Sequence, residues 1–301
     1  MAKWTTSDIP DQTGRTAVVT GANTGLGFHT AAALAAHGAH VVLAVRNLDK
    51  GKDALQKISA DSPGATVTLQ KLDLASLNSV RAAADELRSK HDAIDLLINN
   101  AGVYTPKSIT KDGFELQFGT NHLGHFALTG LLLDRLLPAP GSRVVTVSSV
   151  AHRVGAAIHF DDLQWERSYS RAGAYGQSKL ANLLFTKELQ RRLDAAGSTV
   201  KAHAAHPGYS ETNLQGHSGR RVGDALMSIG NKLATDADFG ARQTLYAASQ
   251  DLPGNSYIGP RLAMRGATGP TSFRSTLARN PKTAAALWEL SELLTDTKFA
   301  L

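Results

Sequence analysis

The stretch TAVVTGANTGLG, residues 16–27, decides the fold of this chain. Its first five residues are mostly β-branched and predict a buried strand, and the glycine-rich remainder leads into an alanine-rich segment with helical periodicity. Backbone N–H groups at such a strand-to-helix turn, together with the helix dipole, suit a pyrophosphate. The spacing is G-x-x-x-G-x-G, which differs from the general dinucleotide fingerprint G-x-G-x-x-G. A tight turn that requires small residues is the alternative interpretation.

The same alternation of strand and helix patterns continues along the chain. We predict strands at residues 16–20, 40–45, 65–70, 94–99, 143–147, 199–205 and 256–259, and helices near 25–37, 48–60, 76–90, 112–137, 174–196 and 236–249. A last helix has Asn280 as its N-cap and Pro281 at its first position. Short apolar strands between helices are typical of a parallel sheet covered on both faces.

The predicted fold class is therefore α/β, with a single doubly wound Rossmann-type domain over residues 1–301. Its sheet is predicted to be seven-stranded and mainly parallel, with helices on both faces. The core is predicted to span about residues 14–260, and residues 261–301 are predicted to form a C-terminal helical extension.

Composition narrows the possible functions. The chain has 301 residues and no cysteine, which excludes disulfides, thiol nucleophiles and cysteine-bound metals. Thirty-two basic and 26 acidic residues give a net charge of +6, but the basic residues are scattered and do not form a nucleic-acid footprint. The sequence contains neither a secretory signal pattern nor a membrane-spanning apolar run, so we expect a soluble, cytoplasmic protein.

Arg46 follows the second predicted strand, where a site selective for NAD would place an acidic residue on the ribose hydroxyls. A guanidinium can pair in a bidentate manner with a 2′-phosphate, so we predict NADP(H) rather than NAD(H), with Asn47 as a possible helper. A solvated arginine at the start of a helix is the alternative. Asp73 and Leu74, after the third strand, are placed to meet the adenine, although Asp73 can equally cap the next helix.

Tyr175 and Lys179 lie four residues apart in AYGQSKLANLLF and therefore share one helix face. A free tyrosine has a pKa near ~10, and a positive charge within about 4 to 6 Å lowers that pKa. The pair can thus act as a proton donor, although a solvated lysine beside a half-buried tyrosine is common on helices.

Five separated motifs occur in order: the glycine-rich turn, Asn99-Asn100-Ala101-Gly102, Asn121, Ser149 and the Tyr175/Lys179 pair. In this combination the chain resembles the short-chain dehydrogenase/reductase family from about Thr16 to Gly208. The motifs GANTGLG, NHLGHF and VSSVAH are most similar to those of its retinol dehydrogenase and protochlorophyllide reductase branch. A light-driven porphyrin reductase fits less well, because that group tends to use a cysteine.

The resemblance implies a four-residue catalytic site. Tyr175 would be the general acid toward a carbonyl and the base in the reverse direction. Lys179 would bind the nicotinamide ribose and lower the pKa of Tyr175, Asn121 would hold a relay water, and Ser149 would polarise the substrate oxygen. Ser148 is adjacent to Ser149, and only one of the two can face the pocket. The cofactor would contact Gly21, Asn23, Thr24, Gly25, Leu26, Gly27, Arg46, Asp73, Leu74, Asn100, Ala101, Gly102, Tyr175, Lys179, Pro207, Gly208 and Thr212.

The insert between Ser149 and Tyr175 is longer than is usual in the family, and its aromatic and aliphatic residues suggest a lid or an apolar substrate wall. We therefore expect an NADP(H)-dependent oxidoreductase that interconverts a carbonyl and an alcohol on an apolar small molecule. A non-catalytic NADP(H)-binding sensor or scaffold is the alternative. His122 and His125 lack the spacing of a helical zinc pair, so we expect no metal site. The family also implies pairing through the long helices into a homodimer or homotetramer, unless the C-terminal extension covers that surface.

Overall fold

The computed structural model describes residues 4–153, 156–208, 237–261, 266–271 and 274–301. Within these ranges, eight strands form one sheet in the order β3-β2-β1-β4-β5-β6-β7-β8. Neighbouring strands from β3 to β7 are parallel, and β8 is antiparallel to β7. The strands are β1 (Thr16–Thr20), β2 (His40–Val45), β3 (Val67–Lys71), β4 (Leu96–Asn99), β5 (Arg143–Val147), β6 (Lys201–Ala205), β7 (Tyr257–Pro260) and β8 (Thr268–Pro270).

The predicted number of seven strands is wrong, because β8 adds an eighth strand inside the segment that was predicted to be a helical extension. This strand has only three residues, Thr-Gly-Pro, and carries none of the β-branched alternation that predicts strands. Proline cannot donate to a sheet ladder and is confined to edges, where Pro270 lies. The α/β class and the mainly parallel sheet are as predicted.

The helices lie on both faces of the sheet. They are α1 (Gly25–Ala36), α2 (Leu48–Asp61), α3 (Leu77–Lys90), α4 (Leu116–Phe118), α5 (Gly124–Leu131), α6 (Leu133–Leu136), α7 (Arg171–Ala195), α8 (Ala237–Ser249) and α9 (Pro281–Thr295), with a π-helix at Gly119–Leu123 between α4 and α5. The single helix predicted over 112–137 is therefore interrupted. The π-helical turn adds a residue to its middle, and Leu132 leaves helical geometry at φ −99° and ψ 3°.

Successive strand residues divide the core into two layers, as the side-chain period of two requires. Ala17 and Val19 of β1 pack with α1, α2 and α8, whereas Val18 between them packs with α3, α5 and α7. Strand residues are buried on both faces, which explains why the strands read as continuous apolar runs.

The chain reverses its direction of sheet growth at β1, which pairs with β2 on one side and with β4 on the other. In an open parallel sheet this switch point leaves a crevice at the carboxyl ends of the strands, where ligands bind. Gly21 follows β1 and Asn100 follows β4, so the predicted cofactor residues flank this crevice.

The C-terminal helix α9 packs against α5 and α7. The Trp288 ring lies 5.0 Å from Phe126 on α5 and is stacked at 5.9 Å on Phe185 of α7, and Phe299 closes the cluster at 4.4 Å from Trp288. Asn280 caps this helix through bonds from Lys282 N and Thr283 N, as its sequence predicts. The extension thus covers the helical face through which the resemblance implies pairing of subunits.

In the parts of the chain that the structure describes, no helix is both long enough and apolar enough to cross a membrane.

Candidate active site

The glycine-rich turn after β1 is shaped by close backbone contacts. A Cβ on Gly27 would lie 2.4 Å from the carbonyl oxygen of Gly21 and 2.5 Å from Nδ2 of Asn100, so no larger residue fits there. Gly21 and Gly25 have φ values of +66° and +56°, in the left-handed region that favours glycine. The turn itself therefore requires glycine at positions 21, 25 and 27.

This turn also suits an anion. It opens α1, and the N-cap Thr24 makes no capping hydrogen bond with its side chain, so the first N–H groups of the helix are left for another acceptor. A Cβ on Gly25 would meet nothing within 4 Å, so its backbone faces open space. The residues present therefore fit the pyrophosphate of a dinucleotide.

A buried network joins this turn to the other side of the crevice. The Thr20 hydroxyl accepts hydrogen bonds from the backbone N–H groups of Asn100 (2.9 Å) and Ala101 (3.0 Å) and lies 2.9 Å from Nε2 of His125. Nδ1 of His125 lies 3.0 Å from the carbonyl oxygen of Asn121, which can only accept, so Nδ1 carries the proton. Burial lowers the pKa of His125 to about 4, so the ring is neutral and Thr20 donates to Nε2.

Asn100 adds a side-chain bond of 2.8 Å to the carbonyl oxygen of Thr20. These hydrogen bonds thus hold the glycine-rich turn and the segment after β4 together. Nothing in the sequence indicated the part played by Thr20 and His125, because their contact joins positions 105 residues apart.

Arg46 and Asn47 lie between β2 and α2, at the carboxyl edge of the sheet. The Arg46 side chain is exposed, whereas the Asn47 side chain accepts the hydrogen bond from Lys50 N and thus caps the helix. A cavity of about 300 Å³ lies between the glycine-rich turn and this helix, and it is lined by Asn23, Thr24, Gly25, Phe28, Lys50, Asp53, Ala54 and Lys57. Sequence reasoning missed Lys50, although Lys50 lies in the first turn of the helix predicted near 48–60, close to Arg46 in the chain.

Asp73 lies beside the crevice with its carboxylate partly satisfied. Its Oδ1 accepts from Ala75 N at 3.2 Å, and its Oδ2 lies 3.6 Å from Nζ of Lys111. The next helix, α3, is capped by Ser76, so the alternative role of Asp73 as the cap of that helix is wrong. Leu74 is buried, and Gly124 of α5 packs directly on it.

Tyr175 and Lys179 share the face of α7 that lies at the carboxyl edge of the sheet. Nζ of Lys179 is 5.6 Å from the centre of the Tyr175 ring and donates to the carbonyl oxygen of Val147 at 3.1 Å. The lysine is buried, and burial lowers its pKa to about 8. Gly102 faces this amine, since a Cβ there would lie 3.3 Å from Nζ.

The Tyr175 pKa differs from the expectation. Burial raises the pKa of Tyr175 to about 12, and a hydrogen bond with Ser149 acts in the opposite direction. The expectation that Lys179 lowers this pKa is therefore wrong, because burial of the phenol in low-dielectric surroundings has the largest effect and disfavours the charged phenolate. The protein alone keeps the phenol fully protonated at neutral pH.

The two adjacent serines have separate partners. Ser148 is buried, and its hydroxyl donates to the carbonyl oxygen of Lys179 at 2.8 Å. Ser149 is partly exposed, and its hydroxyl bonds to Tyr175 and accepts from Ala151 N at 3.2 Å. The choice of Ser149 as the serine that faces the pocket therefore agrees with the geometry.

Asn121 lies in the π-helix, and its side chain makes three hydrogen bonds within the protein. Its Oδ1 accepts from Val103 N at 2.7 Å, and its Nδ2 donates to the carbonyl oxygen of Val103 and to the hydroxyl of Ser178. Short π-helical turns are frequent at functional sites. The side chain thus fixes the loop after β4 beside Lys179, and the relay water expected on Asn121 stays a prediction.

Two residues beside Tyr175 were missed from the sequence. Tyr104 packs edge to face on Tyr175 with 5.3 Å between ring centres, and the Arg171 guanidinium lies 4.7 Å above the Tyr104 ring. Arg171 is four residues before Tyr175, so the helical period that predicts the tyrosine-lysine pair also places it on this face.

The insert before α7 packs mostly on the protein itself. Ile158 and Leu163 join a core cluster with α7, and Trp165 contacts Gly173, where a Cβ would lie 2.4 Å from the indole. The Tyr169 hydroxyl donates to the carbonyl oxygen of Thr105, whereas Phe160 is 44% exposed. Most of the described apolar side chains of the insert are thus packed on the protein itself, and the lid or apolar wall suggested from the sequence stays a prediction.

The remaining sequence-based expectations concern the loop after β6. Gly208 has a φ of +74°, and its N–H donates to Nδ1 of His206 at 3.3 Å, so the His206-Pro207-Gly208 turn is formed. Thr212, which is expected to contact the cofactor, lies in positions 209–236, outside the described residues. Among the described residues, no group of three or more histidine or acidic side chains is arranged to hold a metal ion.

Comparison with known proteins agrees with this geometry. A family profile described as short chain dehydrogenase matches residues 15–222. The chain is 43% identical to mouse retinol dehydrogenase 12 over 286 residues, which is 93% of this chain and 86% of that protein. It is 50% identical to human retinol dehydrogenase 13 over 208 residues, but these cover only 68% of this chain and 62% of that protein.

Solved structures give the same result. The chain matches a crystal structure titled as a putative uncharacterized protein from Mycobacterium Paratuberculosis over the full length of both chains, with 52% identity and a TM-score of 0.84. A short-chain type dehydrogenase/reductase from Mycobacterium marinum shares the fold with a TM-score of 0.66 at 23% identity, covering 85% of this chain and 97% of that one. The chain therefore belongs to the short-chain dehydrogenase/reductase family of oxidoreductases, in its retinol dehydrogenase-like branch.

Proposed function

We propose that this protein interconverts a carbonyl and an alcohol with NADP(H) as the hydride carrier. The observation that carries the proposal is the contact between the Tyr175 and Ser149 hydroxyls, with the buried Lys179 amine beneath the same ring. The three side chains lie at the carboxyl edge of the sheet, beside the anion-binding turn. Two hydroxyl donors that converge on one point are suited to stabilise a developing alkoxide.

The protein residues divide the work in the direction of reduction. When bound, the nicotinamide supplies the hydride. Ser149 and Tyr175 donate hydrogen bonds to the carbonyl oxygen, and Tyr175 gives up the proton of its Oη as negative charge develops on that oxygen. Lys179 adds a positive charge beneath the ring, and Asn121 holds the neighbouring loop in place.

The high pKa of Tyr175 gives the two directions different pH dependences. With a pKa of about 12, the phenol is already protonated at neutral pH, as the acid of reduction must be. Oxidation requires the phenolate. At pH values below that pKa, the phenolate fraction increases about tenfold for each unit by which the pH is raised. We therefore expect the rate of alcohol oxidation to increase with pH, and that of carbonyl reduction to change less.

The preference for NADP(H) is supported by charge at the start of α2. Arg46 is exposed at the end of β2, and Lys50 lines the cavity beside the glycine-rich turn. We propose that these two cations bind the 2′-phosphate. The guanidinium can donate two parallel hydrogen bonds to it, and the ammonium adds a second positive charge. Asn47 is engaged as a helix cap and has a smaller part.

The substrate is proposed to be an apolar alcohol or its carbonyl. The curated relatives are named for retinol, which is a long apolar alcohol. The insert supports this less than expected, because its apolar side chains mostly pack internally. The aromatic ring of Tyr104, which packs on Tyr175, is an apolar surface beside the proposed reaction point.

The test is an absorbance assay at the reduced-nicotinamide band with NADPH and NADH against a panel of apolar aldehydes and ketones. Tyr175→Phe should lower turnover by a factor of about 100 or more, roughly the contribution of a general acid, with little change in cofactor affinity. Tyr246→Phe is the matched control, because this phenol packs against Trp4 away from the site. Near-normal turnover by Tyr175→Phe would reject the assignment.

The alternative of a non-catalytic sensor makes a different prediction, namely tight binding of NADPH without its oxidation by any member of the panel. The presence of Ser149, Tyr175 and Lys179 in one cluster speaks for turnover, since a sensor has no use for a buried proton donor.

A further inference from the structure

His152 lies directly behind Ser149, in a 3-10 turn at Val150–Arg153. Its ring is completely buried. Nδ1 is 2.5 Å from the carbonyl oxygen of Ser149, and Nε2 accepts a 3.3 Å hydrogen bond from the backbone N–H of Ser275. One imidazole therefore joins the backbone of the proposed active-site serine to the C-terminal part of the chain.

These two contacts determine the tautomer. A carbonyl oxygen only accepts and a backbone N–H only donates, so the proton must be on Nδ1 and the lone pair on Nε2. A neutral ring satisfies both partners at once, whereas a second proton on Nε2 would face the N–H of Ser275. The Nδ1–H of His152 thus donates to Ser149, and its Nε2 accepts from Ser275.

Ser149 needs such a link because it lies beyond the end of β5, at Val147. Ser148 is still held by the sheet through its N–H bond to Ala205, but Ser149 has no strand partner there. Its carbonyl accepts from the His152 N–H at 3.2 Å and from Nδ1 of the same residue. Both lone pairs of the serine carbonyl are thus used by His152, which fixes the peptide plane that follows the reactive hydroxyl.

The imidazole itself is held in place from behind. The Tyr257 ring meets it edge to face at 5.8 Å with an interplanar angle of 86°, and the same tyrosine contacts His206 at 5.1 Å. Tyr257 is buried and belongs to β7. The position of Ser149 is therefore connected through His152 to a strand of the sheet and not only to its own loop.

We propose that His152 is a positioning residue that orients Ser149 for catalysis through the Nδ1–H bond to its carbonyl oxygen. The proposal rests on the role of Ser149 in the proposed function. It assigns the catalytic effect to the Nδ1 end of the ring and only an anchoring effect to the Nε2 end. Misplacing a catalytic group by about 1 Å can lower a rate 100-fold, so loss of this bond should be visible in turnover.

Two conservative variants separate the ends of the ring. The amide nitrogen of His152→Asn can occupy the position of Nδ1 and donate to Ser149, whereas the amide of His152→Gln reaches the position of Nε2. We expect His152→Asn to keep kcat within about threefold of the unchanged protein. We expect His152→Gln and His152→Leu to lose about tenfold or more in kcat, with the KM for the carbonyl changed far less.

The same variants show whether the role is only structural. If His152 served merely to anchor Ser275, His152→Gln would restore both the melting temperature and turnover, and His152→Asn would restore neither. That result would overturn the proposal. Equal losses in Asn and Gln variants of equal melting temperature would also overturn it.

A spectroscopic measurement is independent of turnover. Labelling with ¹³C-carbonyl serine and ¹⁵N valine gives signals from the only two Ser-Val pairs, Ser79-Val80 and Ser149-Val150. The Ser149 carbonyl shift should be the same in the Asn variant and move in the Gln and Leu variants, with Ser79 as internal reference. An unmoved shift in His152→Leu would refute the bond. If the unchanged protein reduced no member of the carbonyl panel, the proposed function would fail, while this shift would still decide whether His152 holds the Ser149 carbonyl.

Discussion

Tyr175 shows how far single residues could be predicted. The four-residue spacing placed Lys179 on the same face as Tyr175. The structure brings the Lys179 amine to the Tyr175 ring, and it brings Tyr175 to the Ser149 hydroxyl. The expected lowering of the Tyr175 pKa was wrong in direction, because a spacing argument counts the nearby charge and cannot count the buried surroundings, which raise the pKa to about 12.

Hydrogen bonds between residues that lie far apart in the chain could not be predicted from the sequence. His152 reaches Ser275 across 123 positions, and Thr20 reaches His125 across 105. No period or motif relates such pairs, since they meet only when the sheet order and the path of the C-terminal segment are known. Tyr104 was missed for the same reason, whereas Arg171 followed from the helical period and was overlooked.

Arg46 carries the prediction on cofactor choice. Replacing Arg46 by Asp should move the ratio of kcat/KM for NADPH to that for NADH by a factor of about 100 or more toward NADH, because a carboxylate repels the 2′-phosphate and can accept from ribose hydroxyls. Lys50→Ala should weaken NADPH binding less, and NADH binding hardly at all. Steady-state kinetics with both cofactors measures these ratios. An unchanged ratio in the Arg46 variant would show that another group binds the phosphate.

At the scale of elements, most boundaries followed from apolar periodicity, and the segment 112–137 shows where it fails. Glu115 is buried and caps α4, with Oε1 accepting from Gln117 N and Oε2 from Phe118 N. Glutamate is not a usual N-cap, so the true start at Leu116 carried no recognisable signal. The π-helical turn that follows has the same apolar composition as the α-helix around it and is equally invisible in the sequence.

Gly124 marks the closest approach of α5 to the sheet edge. A Cβ there would lie 2.5 Å from the carbonyl oxygen of Leu74 and 3.0 Å from its Cβ, so Gly124→Ala must separate two backbones. We expect a loss of about 1–3 kcal/mol in the free energy of unfolding. Urea unfolding followed by circular dichroism measures it.

Gly269→Ala is the control for Gly124→Ala, because a Cβ at Gly269 meets nothing within 4 Å. It should change stability by less than about 0.5 kcal/mol. Equal stability of the two variants would mean that α5 can shift away from Leu74 without loss.

In the part of the chain that the structure describes, four buried histidines have strongly lowered pKa values. Burial lowers the pKa of His122 to about 3 and those of His125, His203 and His206 to about 4. In the unfolded chain each would titrate near pH ~6.5, so the unfolded state binds protons first as the pH falls. Stability is therefore complete above pH ~6.5 and decreases toward pH 4, by up to about 1.4 kcal/mol per pH unit for each histidine.

Unfolding midpoints between pH 8 and pH 4.5 test this dependence. His203 gives a matched variant, since it lies on β6 away from the proposed reaction point and neither ring nitrogen has a hydrogen-bond partner among the described residues. His203→Met should make the decrease shallower by about one histidine's share. A midpoint that does not change with pH would show that these rings are hydrated in the native state.

The overall architecture was the most predictable level, because buried parallel strands and the glycine-rich turn are both local signals. The eighth strand and the position of α9 were not local. The single domain, the cytoplasmic location and the formation of oligomers remain predictions. The observed packing of α9 on α5 and α7 favours the alternative in which the extension covers the pairing face.

That packing has a consequence for the protein alone in solution. His122, beside Asn121, lies 3.0 Å from the hydroxyl of Ser291 on α9, and Arg81 of α3 donates to the carbonyl oxygen of Thr295. The C-terminal helix α9 of the same chain thus holds the helices around the proposed site in place. We expect a monomer by light scattering, and specific activity that is constant on dilution to the nanomolar range. Activity that fell with dilution would show that a second subunit holds these helices in place instead.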